Sequence, residues 1–147
     1  MLLVAVSKPV GWTPLPYASI EVDVVRSIVP EHTNLEVLED TIKETLDSPM
    51  TTPIIDHVLR DVPKASFLHL ACHGTQNPEN SLNSGFIMQD GILTIPKLMG
   101  MKLDKAVFAF LSACETAKGD RSQPNQAVHL AAAMLFAGFQ SVAGTMW

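Results

Sequence analysis

Two nearly continuous apolar runs limit the folds open to this chain. The run Ser66–Cys72, "SFLHLAC", is interrupted by His69, and the run Lys105–Ala113, "KAVFAFLSA", has no charged residue after its first. A strand with one face in water alternates apolar and polar residues, whereas a strand covered on both faces is apolar throughout. Both runs therefore predict strands of a parallel sheet that helices cover on both sides.

The rest of the chain continues this alternation of strands and helices. Helices between successive strands imply right-handed crossovers and a mainly parallel sheet. The pair Asp90-Gly91 separates two apolar runs in "GFIMQDGILTIPKL" and predicts a small β-hairpin. The other predicted strands are Leu2–Val6, Asn34–Leu38 and Ser141–Trp147, and the predicted helices are Ser19–Ile28, Thr52–Val62 and Gln126–Gly138.

The composition and charge of the chain indicate which classes of binding partner it lacks. The chain has 147 residues, of which 47% are hydrophobic and 17% charged, so it suits one globular domain with a sizeable core. Lys plus Arg total 10 and Asp plus Glu total 15, giving a formal charge of −5 without any basic run. We therefore expect no nucleic-acid partner. The sequence has no P-loop and no dinucleotide fingerprint, so we expect no cofactor.

Neither apolar segment near an end of the chain has the features of a membrane span or an export signal. Met1–Val6 lacks a preceding basic region and is soon followed by proline and glycine. Ala127–Phe139 is interrupted by His129 and is too short to cross a bilayer. The chain has two cysteines, which suits a reducing compartment. We therefore expect a cytoplasmic protein that does not bind a membrane.

A histidine and a cysteine follow the two apolar runs. His73 and Cys114 each stand just beyond a predicted strand, at the carboxyl end where ligand sites lie in open α/β sheets. On neighbouring strands, about 5 Å apart, their side chains can converge on one substrate. An imidazole near a thiol accepts its proton or stabilises the thiolate, and the backbone N–H groups of Gly74 and Cys114 are candidate oxyanion donors. The pattern predicts a nucleophilic cysteine site.

Other residues near this pattern have structural interpretations. Alternation along the strand turns Cys72 away from His73, so we expect Cys72 in the core, although a Cys72–Cys114 disulfide stays open. His69 and His73 lie about 13 Å apart along an extended strand, too far to share a metal ion, and we expect no metal site. We expect His69 to be a satisfied core histidine or a support for the site.

Three longer segments resemble one family. The segments "LHLACHG", "DGILTIPKLMGMKLDKAVFAFLSACETAKGD" and "AVHLAAAMLFAGFQSVAGTMW" are similar to the CHAT domain, a caspase-related cysteine peptidase domain often attached to tetratricopeptide repeats. The segment "AVSKPVGWTPLPYASIEV" fits the start of such domains more loosely. The resemblance implies a caspase-like three-layer α/β fold, with a mainly parallel sheet flanked by helices and a small β-hairpin insertion. Such domains continue past the last strand, so residues 1–147 are expected to form a single CHAT-like domain truncated at its C-terminal end.

The resemblance also implies roles for individual residues. His73 matches the histidine of the family dyad, and Cys114 matches its nucleophile. Gly74 matches the glycine that helps to form the oxyanion hole, together with the backbone of Cys114. Glu115 either supports the site by orienting His73 or caps the turn.

Three functions fit these observations. The first is a cysteine endopeptidase that hydrolyses a protein or peptide substrate and is regulated by repeat domains or another partner. Its candidate substrate pocket includes Asn125 and Gln126, where similar sequences often carry acidic residues. The second is a catalytically silent CHAT-type interaction module, and the third is a small-molecule binding protein that uses the same strand-end crevice.

Overall fold

The computed structural model describes residues 1–40, 54–77, 79–113 and 130–145, and confirms a mixed α/β fold with a mainly parallel central sheet. A second, smaller sheet is antiparallel. The strands are β1 (Leu2–Ala5), β2 (Glu36–Glu39), β3 (Phe67–Ala71), β4 (Gly74–Thr75), β5 (Gly85–Met88), β6 (Gly91–Thr94), β7 (Phe108–Ser112) and β8 (Ser141–Gly144). The helices are α1 (Pro16–Ile28), α2 (Ile55–Asp61), α3 (Ile95–Met99) and α4 (Leu130–Ala137), with 3-10 turns at Val62–Lys64 and Ser81–Asn83.

The central sheet has five parallel strands in the order β2-β1-β3-β7-β8. The strands β3 and β7 are neighbours, and their register pairs Ala71 with Ser112 at the carboxyl end. The Cys72 N–H donates to the Ser112 carbonyl at 3.3 Å, which extends the contact by one residue. The two strands that precede His73 and Cys114 therefore end side by side, as the site prediction requires.

Different helices cover the two faces of this sheet. Side chains of β3 and β7 alternate between the faces, because successive residues of a strand point in opposite directions. The larger core lies between one face and α2, α3 and α4, and the smaller core lies between the other face and α1. The larger core includes Val58, Leu68, Leu70, Leu98, Leu111, Leu130 and Met134, and the smaller one comprises Leu3, Ala5, Ala18, Val22 and Ala71.

The antiparallel sheet consists of β4, β5 and β6. Its hairpin turns at Gln89 and Asp90, as predicted, and Gly91 has a φ of +148°, which favours glycine. The Asp90 carboxylate accepts the backbone N–H of Ile55 at 2.9 Å, so the turn also satisfies a donor at the start of α2. The two-residue strand β4, which the sequence did not predict, joins this hairpin to the chain directly after His73.

The first helix starts earlier than the sequence analysis predicted. It begins at Pro16 rather than at Ser19, because the fixed φ of proline suits the first helical turn. The Ala18 N–H donates to the Leu15 carbonyl at 3.1 Å, so the helical pattern already exists before Ser19. Because α1 begins at Pro16, Glu21 lies in its second turn, on the side that faces the sheet.

Other boundaries differ by a few residues or fall outside the described part of the chain. The predicted helix start Thr52 and the final residue Trp147 lie outside it. The structure describes the last predicted helix from Leu130, and Gly138 follows its end with a φ of +123°, as expected of a C-terminal glycine. The sequence analysis missed α3, which it treated as part of the hairpin. Within the described ranges, no helix combines the length and apolar character that a membrane crossing requires.

Candidate active site

A crevice lies at the carboxyl ends of β3 and β7. Its volume is about 340 Å³, and the start of α1 forms the wall opposite the sheet. This position is the one at which open α/β sheets bind their ligands, because the loops that leave the strands diverge there. The lining includes Pro14, Leu15, Glu21, Ala71, Ser112 and Ala113.

His73 follows β3 and is held by the loop between β1 and α1. Its Nε2 atom lies 2.7 Å from the Thr13 carbonyl oxygen. The ring of Trp12 lies beside it, with the two ring centroids 5.7 Å apart and the planes tilted by 35°. The sequence analysis missed both contacts, because it interpreted "GWTPLPYA" only as a proline-rich connection.

The contact with Thr13 determines the tautomer of a neutral His73 ring. A carbonyl oxygen only accepts hydrogen bonds, so Nε2 carries the hydrogen and donates it. The second ring nitrogen, Nδ1, then carries the lone pair that can accept a proton. In a neutral His73 ring held in this orientation, Nδ1 is therefore the basic nitrogen.

Gly74 adjoins His73 at the start of β4. The Ile87 N–H donates to the His73 carbonyl at 2.9 Å, and the next pair in the antiparallel ladder is Gly74 with Phe86. Hydrogen-bonded and non-hydrogen-bonded pairs alternate along such a ladder, so Gly74 occupies a non-hydrogen-bonded position opposite Phe86. Its N–H therefore points away from β5, as an oxyanion donor at this position requires.

The predicted nucleophile Cys114 lies outside the described residues, as do Glu115, Asn125 and Gln126. The two residues before Cys114 are described, and both line the crevice. Cys114 follows Ser112 by two positions, and His73 follows Ala71, the partner of Ser112 in the sheet, by two positions. The roles of the four residues outside the described ranges remain predictions.

Cys72 is a core residue, as the sequence predicted. It is 1% exposed and belongs to the larger core, on the face of the sheet opposite α1. Cys72 also lines the crevice, but its burial keeps it nearly inaccessible to solvent. Cys72 is therefore a suitable internal reference for the chemistry of the second cysteine.

A polar cluster lies under the crevice, between α1 and the sheet. The Ser112 hydroxyl donates to Glu21 Oε2 at 2.8 Å, and His69 Nε2 lies 2.9 Å from Glu21 Oε1. The His69 ring stacks on Phe110, with centroids 5.1 Å apart. His69 is 6% exposed, as a core histidine should be, but its Nε2 makes no well-oriented hydrogen bond with any described residue. The sequence analysis missed Glu21 and Ser112 as members of this cluster.

Burial controls the charge of His69. Removing the ring from water lowers the pKa of His69 below its usual value, and the negative charge of Glu21 opposes this shift only in part. The ring is therefore neutral at neutral pH. Among the described residues, no three side chains of the metal-binding types stand close enough to hold a metal ion.

These features define an α/β domain of the caspase-like type, with a candidate site at the ends of its central strands. The family model of the CHAT domain matches residues 3–147. The chain belongs to the CHAT domain family, which confirms the resemblance found in the sequence. No curated protein matches the chain in a sequence comparison.

Proposed function

We propose that this domain is a cysteine endopeptidase in which His73 activates Cys114. The observation that carries the proposal is the 2.7 Å hydrogen bond from His73 Nε2 to the Thr13 carbonyl. A general base needs a fixed orientation and a ring nitrogen with a lone pair, and this bond supplies both. With Nε2 donating to Thr13, Nδ1 is the ring nitrogen that would accept the thiol proton.

The proposed reaction begins with proton transfer from the Cys114 thiol to His73 Nδ1. The thiolate attacks the carbonyl carbon of the scissile peptide bond, and the oxygen of that carbonyl becomes an oxyanion. The backbone N–H groups of Gly74 and Cys114 donate to this oxyanion. His73 then gives the proton to the leaving amine as the C–N bond breaks, which leaves an acyl-enzyme thioester.

Water completes the reaction. His73 Nδ1 accepts a proton from a water molecule, whose oxygen attacks the thioester carbonyl carbon. The C–S bond then breaks, the carboxylic acid leaves, and His73 returns the proton to the Cys114 sulfur. The proposed substrate is a protein or a peptide, which would bind at the crevice beyond the ends of β3 and β7. Repeat domains or another regulatory partner would control access to it, in the cytoplasm.

The test measures the reactivity of Cys114 in the folded full chain. Iodoacetamide alkylation is followed by mass spectrometry across a pH series in the wild type and in His73→Ala, with Cys72 as the internal reference. We expect Cys114 to titrate below about pH 7.5 and to return toward about 8.5 in His73→Ala, because a nearby imidazole stabilises the thiolate. Cleavage of a peptide library, absent in Cys114→Ala, is the second expected result.

The opposite result would support a different function. If Cys114 in the folded protein reacts as an ordinary thiol and the library stays intact, the peptidase proposal is wrong. The catalytically silent interaction module would then be the better interpretation of the same domain.

A further inference from the structure

The loop between β1 and α1 meets the His73 ring at one end and is closed at the other. Its Thr13 carbonyl and its Trp12 ring lie against His73. At its base, the Leu15 N–H donates to the Ser7 carbonyl at 2.7 Å, which makes the loop a compact unit with neighbouring ends. Groups that fix this base therefore influence the position of the Thr13 carbonyl beside the ring.

The Asp40 carboxylate holds the base of this loop. Asp40 directly follows β2, and its two oxygens accept the backbone N–H groups of Ser7 and Lys8, each at 2.7 Å. Such bonds to an ionised carboxylate are roughly twice as strong as bonds between neutral groups. Ser7 is 4% exposed, so an N–H left unpaired there would be costly. One side chain from the neighbouring strand therefore fixes two successive residues at the start of the loop.

A second connection to Asp40 comes from the hairpin. The Gln89 side-chain amide, in the hairpin turn, donates to the Lys8 carbonyl at 3.0 Å and also to the Asp40 carboxylate. The same hairpin holds the backbone of His73, because the Ile87 N–H donates to the His73 carbonyl at 2.9 Å. The segment that holds the backbone of His73 and the segment that holds its ring are therefore joined at Asp40.

The outer part of the loop has weaker support of its own. Val10 is 79% exposed, and the Trp12 N–H reaches the Pro9 carbonyl only at 3.3 Å, beyond the usual range of about 2.7–3.2 Å. The 2.7 Å contact between Thr13 and His73 would be lost after a displacement of about 1 Å. A misplacement of this size can slow a reaction about a hundredfold, so a general base held by this loop depends on the fixed base of the loop.

We propose that Asp40 is a positioning residue for His73, which it orients through the loop between β1 and α1 and the Thr13 carbonyl. Asp40 acts on the base of the loop and not on the reacting atoms. Its effect on a reaction rests on the proposed peptidase function, whereas its effect on the ring of His73 can be measured without any substrate.

The test measures which ring nitrogen of His73 carries the hydrogen in the full chain. NMR correlations from the carbon-bound ring protons to the ring nitrogens, assigned with His73→Gln, report this at about pH 8.5, where an ordinary histidine with a pKa of about 6.5 is neutral. We expect a single Nε2–H tautomer in the folded wild type. In Asp40→Ala the nitrogen chemical shifts should move toward those of the urea-unfolded chain, because Thr13 no longer holds the ring, and Asp40→Asn, which keeps one acceptor oxygen, should move them less. Two controls should keep the wild-type values: Glu36→Gln, an exposed acid of β2, and Asp61→Asn, which removes ion pairs elsewhere in the fold.

Peptide cleavage supplies the second measurement and separates this inference from the peptidase proposal. Asp40→Ala should lower kcat at least about tenfold with little change in KM, because the variant displaces the general base and leaves substrate contacts in place. If Asp40→Ala keeps the wild-type nitrogen shifts, the inference is wrong, whatever the cleavage rates. If the shifts move in Asp40→Ala but the wild type cleaves no peptide, Asp40 still positions His73 and the peptidase proposal is wrong. An equal movement of the shifts in Asp61→Asn would assign the effect to lost stability and would also overturn the inference.

Discussion

Helices α2, α3 and α4 cover one face of the central sheet with apolar side chains, whereas α1 brings a carboxylate to the other face. On the first face, Leu70 and Leu111 of the central strands are 1% and 0% exposed and pack among other large apolar residues. On the second face, the same two strands present His69 and Ser112 to Glu21. The strands β3 and β7 therefore contribute to the larger apolar core on one face and to the polar cluster of the candidate site on the other.

Both faces contain a buried titratable group, and their surroundings differ. Asp61, on the side of α2, is 1% exposed and contacts two cations, with Arg60 at 2.5 Å and Lys64 at 2.7 Å. His69, on the side of α1, has a partly exposed carboxylate beside Nε2 and no well-oriented hydrogen bond there with any described residue. The difference indicates that the larger core satisfies its buried charge, while the α1 side tolerates an incompletely satisfied group next to the crevice.

The largest expected change in the free energy of unfolding comes from replacing one buried leucine by alanine on each face of the sheet. Leu70→Ala and Leu3→Ala remove the same atoms from residues that are 1% and 0% exposed. Leucine-to-alanine changes in cores lower the free energy of unfolding by about 2–5 kcal/mol, with the larger losses where the surroundings cannot collapse. We expect Leu70→Ala near the upper end and Leu3→Ala near the lower end, because α1 can move toward the small cluster around Leu3. Urea denaturation at pH 7 measures both.

Equal losses in these two variants would contradict the comparison. They would mean that the small cluster under α1 is as rigid as the core under the other helices. A variant of an exposed leucine, Leu82→Ala, serves as the control and should change the free energy of unfolding by less than about 0.5 kcal/mol.

The second prediction concerns the ion pairs of Asp61. The hydrogen bond from Arg60 lowers the pKa of Asp61 to about 2, with Lys64 contributing and burial opposing the shift. A carboxylate with a lowered pKa stabilises the fold above its ordinary pKa, and this stabilisation is lost as the pH falls from about 4 to about 2. Because Arg60 and Lys64 are largely exposed, we expect Asp61→Asn to lower the free energy of unfolding at pH 7 by about 1 kcal/mol.

Denaturation of Asp61→Asn at pH 7 and at pH 2 tests this prediction. The difference from the wild type should shrink at the lower pH, because the wild-type carboxyl is then substantially protonated. The control is Asp56→Asn, an exposed residue of the same helix. If the Asp61→Asn difference is the same at both pH values, the ion pairs are not its cause.

The parts of this structure that sequence could predict are those whose signal is local. The apolar runs predicted β3 and β7, and Asp90-Gly91 predicted the hairpin, because burial and turn chemistry act within a few residues. The helix α3 has only five residues and is as apolar as a strand. Such a short segment does not show a helical repeat of apolar residues, so the sequence pattern could not distinguish a helix from a strand there. These local patterns were sufficient to predict the central sheet, its flanking helices and the hairpin.

The candidate site depended on contacts that are distant in sequence. Thr13 and His73 are 60 positions apart, and Ser112 and Glu21 are 91 positions apart. Neither Thr13 nor Glu21 has a neighbouring motif that would distinguish it from any other polar residue at the start of a helix. Only the parallel crossovers bring these residues to the ends of β3 and β7, so sequence alone predicted His73 without the groups that orient it or the acid in the crevice.

The smallest expected effect is the pH dependence that His69 contributes. Burial lowers the pKa of His69 in the folded protein, so below about pH 6.5 the unfolded chain binds more protons than the folded one. The free energy of unfolding should therefore fall as the pH decreases from 7.5 to 5.5, by less than about 1 kcal/mol in total, because only the interval below about pH 6.5 contributes and Glu21 offsets part of the shift. His69→Phe keeps a ring that can stack on Phe110 and removes the titration, so its decrease should be smaller.

Urea denaturation of both proteins at pH 7.5 and 5.5 isolates this contribution, because the other histidines are common to both and cancel in the difference. Glu21 faces His69 from α1 at 2.9 Å and favours its charged form, which limits the decrease without reversing it. In Glu21→Gln this opposition is absent, so the decrease between the two pH values should become steeper than in the wild type. A shallower decrease in Glu21→Gln would mean that Glu21 does not stabilise the charged form of His69, and the electrostatic account of the α1 face would be wrong.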